Sequence, residues 1–159
     1  MPLETIGRPM EILLVEDSLM AAKLAAQAVR FQQFDHRLTW ISDGQEAMEF
    51  LAQEGRFSRA PAPDLILLDL ILPGQSGIDI LTGIRKSSNL AKIPVIIMTG
   101  EARSEQDHVL DTLGVEAYLT KPFQAAEFET VVKQLRGHWR THMLRPSQDD
   151  QMLPPTDLL

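Results

Sequence analysis

The sequence of 159 residues contains no cysteine, so neither disulfide bonds nor thiol chemistry is available to it. A cytoplasmic location is compatible with this absence. Residues 1–9 lack the apolar core of a signal peptide, and no apolar run approaches about 18 residues, the length of a membrane-spanning helix. The net charge of −7 argues against a basic face for nucleic acid. We therefore expect a protein that binds neither nucleic acid nor a membrane.

The composition is that of an ordinary water-soluble chain, with 44% hydrophobic and 23% charged residues. Its length suits one domain with a sizeable core. We predict this domain over residues 1–144. Residues 145–159 are polar and contain prolines, so we expect a C-terminal extension there and no output domain.

The most informative stretch is residues 64–74, Asp-Leu-Ile-Leu-Leu-Asp-Leu-Ile-Leu-Pro-Gly. Four apolar residues in succession predict a strand covered on both faces, as in a parallel sheet. The strand ends in Asp69, whose charge would be costly inside the core. At the carboxyl edge of an open α/β sheet, however, such a residue lies where ligands bind.

Similar strands and amphipathic helices alternate along the chain. Further strands are predicted at residues 10–15, 36–41, 93–98 and 117–120. The first helix follows Ser18, and its apolar face is predicted from the spacing of Ala21, Leu24, Ala25 and Ala28. Other helices are predicted after Asp43, from Gly77, over 103–113 and over 124–139. Five successive βα units predict an α/β fold: a doubly wound, five-stranded parallel sheet of flavodoxin-like order 2-1-3-4-5.

In this topology four strand ends meet at one edge, and each carries a side chain suited to phosphoryl transfer. Clustered carboxylates, Glu16 and Asp17 with Asp69, are tolerable when they hold a hard divalent cation such as Mg²⁺. Asp69 can also act as a nucleophile, since carboxylates form acyl phosphates. Thr99 offers a hydroxyl donor and Lys121 a cation for phosphate oxygens.

Together these motifs resemble the receiver domain of two-component response regulators over residues 10–138. The matching elements are Glu16-Asp17 after the first strand, Asp69 with Pro73 and Gly77, Thr99-Gly100 and Lys121-Pro122. The intervals also match, with 30 residues from Asp69 to Thr99 and 22 from Thr99 to Lys121.

The resemblance implies a role for each of these positions. Asp69 is implied to be the phosphate acceptor, supplied by a histidine kinase, with Thr99 and Lys121 as the phosphate-sensing pair. Glu16, Asp17, Asp69 and the backbone carbonyl of Ile71 are implied to form the Mg²⁺ site. Tyr118 matches the aromatic residue that turns inward on phosphorylation. Ile71 and Glu101, two residues after Asp69 and Thr99, are implied to control access to the phosphoryl group.

Two further segments narrow the resemblance. The long loop 53–63 and the sequence Trp-Arg-Thr-His-Met-Leu-Arg-Pro at 139–146 resemble single-domain regulators associated with bacterial and cyanobacterial phytochromes. The implied partner is then a phytochrome-type kinase. A symmetric homodimer is expected through the predicted fourth helix, fifth strand and fifth helix, together with the C-terminal extension.

Two other functions remain open from the sequence. A Mg²⁺-dependent phosphohydrolase could also use an aspartyl phosphate, although enzymes of the haloacid dehalogenase type carry a second Asp where this chain has Ile71. A pseudo-receiver would bind partners without being phosphorylated. It would not need the complete set of acidic, Thr and Lys residues.

Each candidate residue also has a purely structural alternative. Asp69 would cap a turn, Glu16 and Asp17 would suit a helix N-terminus, Thr99 would end a strand, Lys121 would be solvated, and Tyr118 would only pack. His138 and His142 are four residues apart, as metal ligands on one helix face would be, but no acidic or cysteine partner completes a site. Phe128 and Trp139 are expected in the core or in a dimer contact.

Overall fold

A central parallel sheet organises the computed structural model, which describes residues 3–5, 8–100, 107–139 and 144–146. The described strands are β1 (Leu3–Thr5), β2 (Met10–Val15), β3 (His36–Ile41), β4 (Leu65–Asp69), β5 (Val95–Thr99), β6 (Ala117–Thr120) and β7 (Leu144–Pro146). Five of them form the sheet in the order β3-β2-β4-β5-β6, and every neighbouring pair is parallel. This is the predicted order 2-1-3-4-5, so the fold prediction is confirmed.

Helices connect these strands as the sequence pattern predicts. They are α1 (Leu19–Arg30), α2 (Gly44–Ala52), α3 (Gly77–Lys86), α4 (Asp107–Thr112) and α5 (Ala125–Leu135). Ser18, Asp43 and Ser76 cap the first three helices by accepting a backbone N–H with the side chain. The last helix is shorter than predicted, because the chain tightens after Leu135 into a 3-10 turn at Arg136–His138. Residues 103–106 of the predicted fourth helix lie outside the described residues.

The core lies on both faces of the sheet. One layer packs α1 and α5 against the strands, and the other packs α2, α3 and α4. All residues of β2 and β4 are buried, as expected for strands covered on both sides. The inward-facing side chains of α3 are fully buried: Ile80, Leu81 and Ile84. Each such side chain contributes roughly 1.5–3 kcal/mol through burial, so the sheet that carries the strand ends is firmly supported.

Helix α1 buries only part of its predicted face. Its buried residues are Ala22, Ala25, Ala28 and Val29, whereas Leu24 is 40% exposed. The prediction is confirmed for Ala25 and Ala28 but wrong for Leu24. Apolar residues occur around most of this helix, so spacing alone does not fix which stripe faces the sheet. The small side chains allow a close approach to the sheet, and the large ones remain outside.

The two ends of the described chain pair with each other. Strand β1 pairs with β7 in an antiparallel ribbon, which the sequence pattern did not predict and which crosses the expected boundary between residues 144 and 145. At the amino edge of the sheet, Arg8 forms a bidentate ion pair with Asp64, with N–O distances of 2.8 and 2.9 Å. Trp139, which is buried, donates its indole N–H to the Asp64 carbonyl oxygen at 2.9 Å. Asp64 therefore joins both ends of the domain to the start of β4.

The described helices include none with the length and apolar character needed to span a lipid bilayer.

Candidate functional site

Three carboxylates converge where β2 and β4 end. Glu16 and Asp69 are buried, with 1% and 5% of their surfaces exposed, while Asp17 is exposed. One carboxylate oxygen from each of the three lies within 4.8 Å of the others. Like charges this close repel one another, so the cluster requires a compensating cation.

Lys121 supplies one positive charge to this cluster. Its Nζ donates to Oε1 of Glu16 at 2.7 Å and to Oδ2 of Asp69 at 3.2 Å. The Lys121 side chain is only 21% exposed, so these ion pairs are shielded from water. The residue that follows β6 in sequence is thus brought to the end of β4, as the resemblance implied, and it lies closer to Glu16 than to Asp69.

The pKa of Lys121 reflects two opposing effects. Burial disfavours the charged amine and lowers its pKa, but the hydrogen bond that the amine donates to Glu16 and the charges of Asp69 and Glu16 raise the pKa by more. The net result is a pKa above the ordinary lysine value, so Lys121 is a fixed cation at neutral pH.

Backbone N–H groups hold the two buried carboxylates in place. Oε2 of Glu16 accepts from the N–H of Ser18 at 3.0 Å, and Oδ1 of Asp69 accepts from the N–H of Ile71 at 3.2 Å. The turn after Asp69 depends on Gly77, because a Cβ there would lie 2.4 Å from the Asp69 carbonyl oxygen. The first turn of α3 therefore packs directly against the end of β4.

The donor set fits a divalent cation. Three carboxylates and one lysine leave a formal charge of −2 at the cluster. Carboxylate oxygens are the ligands that Mg²⁺ and Mn²⁺ favour. Asp17 is the most accessible of the three, so a hydrated ion could reach it without opening the core.

The predicted switch residues lie near the same edge of the sheet. Thr99 ends β5 one residue beyond Met98, which pairs with Asp69, and the Thr99 carbonyl accepts from the Lys121 N–H at 2.6 Å. Tyr118 on β6 is half-buried, and its hydroxyl donates to Asp111 of α4 at 3.3 Å. Tyr118 thus connects β6 with α4.

Of the two residues implied to control access, Ile71 lies within the described part of the chain. The Ile71 side chain is 83% exposed beside Asp69, so it stands at the mouth of the site. Glu101 lies outside the described residues.

The remaining candidate residues form no part of the acidic cluster within the described part of the chain. His142 lies outside the described residues, and the Nδ1 atom of His138 contacts the carbonyl of Leu135. Phe128 and Trp139 were expected either in the core or in a dimer contact, and both are buried in the core.

Sequence reasoning missed two features beside the cluster. Trp40, near the end of β3, donates its indole N–H to the Glu16 carbonyl oxygen at 2.6 Å. Only the pairing of Leu14 with Trp40 across two parallel strands reveals this neighbour. The second is an apolar groove between α1 and the segment after β6, lined by Ser18, Met20, Leu24, Lys121, Pro122 and Phe123. We refer to it below as the α1 groove.

Comparisons with known proteins agree with this geometry. Residues 12–133 match the family model described as the response regulator receiver domain. The response regulator Rcp1 of Synechocystis sp. is 35% identical over 140 residues, covering 87% of this chain and 95% of Rcp1.

Solved structures of response regulators are also similar to this chain. The Mn²⁺-bound form of Rcp1 superposes with a TM-score of 0.70 at 34% identity, covering 87% of this chain and all of that one. The phosphorylated cyanobacterial phytochrome response regulator RcpA gives a TM-score of 0.72 at 32% identity, with the same coverage.

Proposed function

The chain belongs to the family of response regulator receiver domains, and we propose that a histidine kinase switches it by transferring a phosphoryl group to Asp69. The observation that carries the proposal is the Lys121 amine, which bridges Glu16 and Asp69 in a shielded acidic cluster at the carboxyl edge of the sheet. If Glu16 only capped a helix and Lys121 were only solvated, the amine would not need to lie between two buried carboxylates.

The proposed step is a substitution at phosphorus. A carboxylate oxygen of Asp69 forms the new P–O bond while the P–N bond of the kinase phosphohistidine breaks, and the electron pair of that bond returns to the imidazole nitrogen. Lys121 lies 3.2 Å from Asp69, where its charge can offset the charge of the incoming phosphoryl oxygens. The buried carboxylate is already oriented by the Ile71 N–H, so little reorganisation precedes the step.

The cation that we assign to this site is Mg²⁺. Asp17 and Asp69 would hold it, with Glu16 and the backbone carbonyl of Ile71 as additional contributors. When bound, Mg²⁺ neutralises phosphoryl oxygens and orients the group for transfer. The Mn²⁺-bound form of Rcp1 supports a divalent ion in this family, and the formal charge of −2 at the cluster supports one here.

The α1 groove is where we place the kinase. It borders the site, since Ser18 and Lys121 line it, and it continues along α1 past Leu24 to Phe31. Large apolar side chains are exposed on this helix and directly after it: Leu19 at 55%, Met20 at 68% and Phe31 at 66%. Met20, Leu24 and Phe31 line adjoining stretches of the groove, and exposed apolar patches of this kind mark protein interaction sites. The phosphorylated phytochrome regulator RcpA supports a phytochrome-type kinase as the donor.

The proposed output is a change in protein contacts. A phosphoryl group adds about −1.5 to −2 charges, which draws Thr99 and Lys121 inward and gives Tyr118 room to turn. Turning would break the bond between Tyr118 and Asp111 and so alter the surface of α4, β6 and α5. We propose that this surface, with the C-terminal extension, forms a two-fold homodimer. Light scattering that shows only monomers, with and without phosphorylation, would rule the dimer out.

In this account the chain is a cytoplasmic signalling protein that loses its phosphate slowly by hydrolysis. The exposed Ile71 side chain, together with Glu101, would set how easily water reaches the acyl phosphate. The enzymatic alternative predicts sustained turnover of a small phosphate ester with Mg²⁺. We expect none beyond the slow loss of phosphate from Asp69.

The kinase proposal is tested by phosphotransfer from a phosphorylated phytochrome-type histidine kinase. We expect rapid transfer to the wild-type chain and none to Asp69→Asn. A second variant, Met20→Glu in the α1 groove, should slow transfer from the kinase at least tenfold but leave phosphorylation by acetyl phosphate unchanged. Val109→Glu is the matched control, because Val109 is also exposed, at 47%, but lies on α4. Equal effects of the two charged variants on transfer would refute the α1 groove as the kinase site.

A further inference from the structure

Trp40 is hydrogen-bonded to the backbone of the acidic cluster. It lies on the edge strand β3 and is 41% exposed, yet its indole N–H donates to the Glu16 carbonyl oxygen at 2.6 Å. The Glu16 N–H donates to the carbonyl of Ile41 at 3.2 Å. Both backbone groups of Glu16 are therefore tied to β3, one by an ordinary strand contact and the other by a side chain.

The bond from Trp40 fixes the peptide plane that leads to Asp17. The Glu16 carbonyl and the Asp17 N–H belong to one planar peptide group, so holding the oxygen also holds the direction in which Asp17 leaves the strand. The carboxylates of Glu16 and Asp69 are held directly by backbone N–H groups and by Lys121. Within the described part of the chain, no such bond holds the carboxylate of Asp17, so its position depends on this backbone.

We propose that Trp40 is a positioning residue for the cation site, acting through the Glu16–Asp17 peptide. The inference rests on the Mg²⁺ site of the proposed function. Outer contacts of this kind orient the ligands of a metal, and their loss typically costs about 10- to 100-fold in metal affinity. Trp40 acts through one backbone oxygen, so we expect the lower end of that range.

The test compares Trp40→Phe with Trp139→Phe by isothermal titration of Mg²⁺ in the absence of any phosphoryl donor. Each change removes one indole N–H bond to a backbone carbonyl, at 2.6 Å for Trp40 and at 2.9 Å for Trp139. Trp139 bonds Asp64 at the opposite edge of the sheet, so it controls for a general loss of stability. We expect the Mg²⁺ dissociation constant to rise about tenfold in Trp40→Phe and to stay within twofold in Trp139→Phe.

A second measurement uses the unaltered chain and so does not depend on the folding of a variant. The two indole N–H signals are followed by nitrogen-15 NMR during Mg²⁺ titration. We expect the Trp40 signal to move and the Trp139 signal to stay. Equal affinities for wild type and Trp40→Phe, equal losses in both variants, or a stationary Trp40 signal would overturn the role of Trp40 alone. A wild-type chain that binds no Mg²⁺ would overturn the cation site as well.

Discussion

Lys121 connects the two buried carboxylates of the cluster, Glu16 and Asp69, and it does so from a third strand end. Without it, Glu16 and Asp69 would be buried beside each other with no compensating charge. Such a pair is costly in a shielded site, because water cannot solvate either group. Lys121 therefore stabilises the protein before phosphorylation and is also placed to contact the phosphoryl group afterwards.

We predict that Lys121→Ala lowers the free energy of unfolding by about 2 kcal/mol without Mg²⁺. This loss is smaller than that expected for a wholly buried ion pair, because about a fifth of the Lys121 side chain is exposed. Saturating Mg²⁺ should reduce this loss, since the ion replaces the missing charge. Urea unfolding with and without Mg²⁺ measures both values. The control is Lys133→Ala, whose exposed pair with Glu129 is worth less than about 0.5 kcal/mol. A loss that Mg²⁺ does not change would contradict the shared role of Lys121 and the cation.

The candidate site was largely accessible from the sequence, but its internal contacts were not. Parallel strands end at one edge, so the positions of Glu16, Asp17, Asp69 and Lys121 follow from strand order. Spacing says nothing about which carboxylate a lysine approaches most closely. The bond from Trp40 to Glu16 was likewise hidden, because it depends on the register of β2 and β3 and on a side-chain direction.

At the scale of elements, the junction between β4 and α3 places Asp69. Asp69 ends the strand and Gly77 starts the helix, and the Gly77 N–H donates to the Leu70 carbonyl at 2.9 Å. The space at Gly77 is too small for any side chain. A Cβ would approach the Asp69 carbonyl oxygen to 2.4 Å and the Leu70 Cα to 2.6 Å. Both are backbone atoms, so neither can move away by a side-chain rotation.

We therefore predict that Gly77→Ala lowers the free energy of unfolding by about 2 kcal/mol, as overpacking typically does. It should also slow phosphorylation of Asp69, because the turn that holds the carboxylate must shift. Thermal unfolding and acetyl phosphate kinetics measure the two effects. Gly137→Ala is the control, since a Cβ there has nothing within 4 Å among the described neighbours. Unchanged stability of Gly77→Ala would show that α3 is not seated against β4 in this way.

Periodicity predicted the five βα units because one-faced helices and unbroken apolar strands leave clear patterns. It could not predict the ribbon of β1 and β7, whose strands have three residues each and lie at opposite ends of the sequence. It also placed Leu24 on the buried face of α1, although Leu24 is exposed. Small and large apolar residues are equivalent to a periodicity argument, but packing against the sheet separates Ala25 from Leu24.

At the scale of the whole molecule, the two edges of the sheet have different tasks. The carboxyl edge carries the acidic cluster. At the amino edge, charged side chains hydrogen-bond to the segments that lead into the strands. Arg85 uses all five of its N–H donors there, for the carbonyls of Leu113, Ala91, Ile93 and Gly114 and for the carboxylate of Glu116. Glu116 also accepts from the Val95 N–H at 2.7 Å. This network joins α3 to the segments that lead into β5 and β6.

We predict that Arg85→Lys lowers the free energy of unfolding by about 2 kcal/mol, although the charge is retained. A single ammonium group cannot satisfy acceptors arranged around a planar fork. Chemical unfolding measures the loss, and Arg30→Lys on the exposed end of α1 should stay within about 0.5 kcal/mol of wild type. Equal stability of the two variants would mean that the amino edge does not depend on Arg85.

The central claim is that Asp69 accepts a phosphoryl group in the cluster with Lys121. Its most direct test is mass spectrometry of the chain after incubation with acetyl phosphate and Mg²⁺, followed by mapping of the modified peptide. We predict a gain of one phosphoryl group, located on Asp69, that requires the divalent ion and is absent from Asp69→Asn. No gain in the wild-type chain, or a gain on any other residue, would contradict the account.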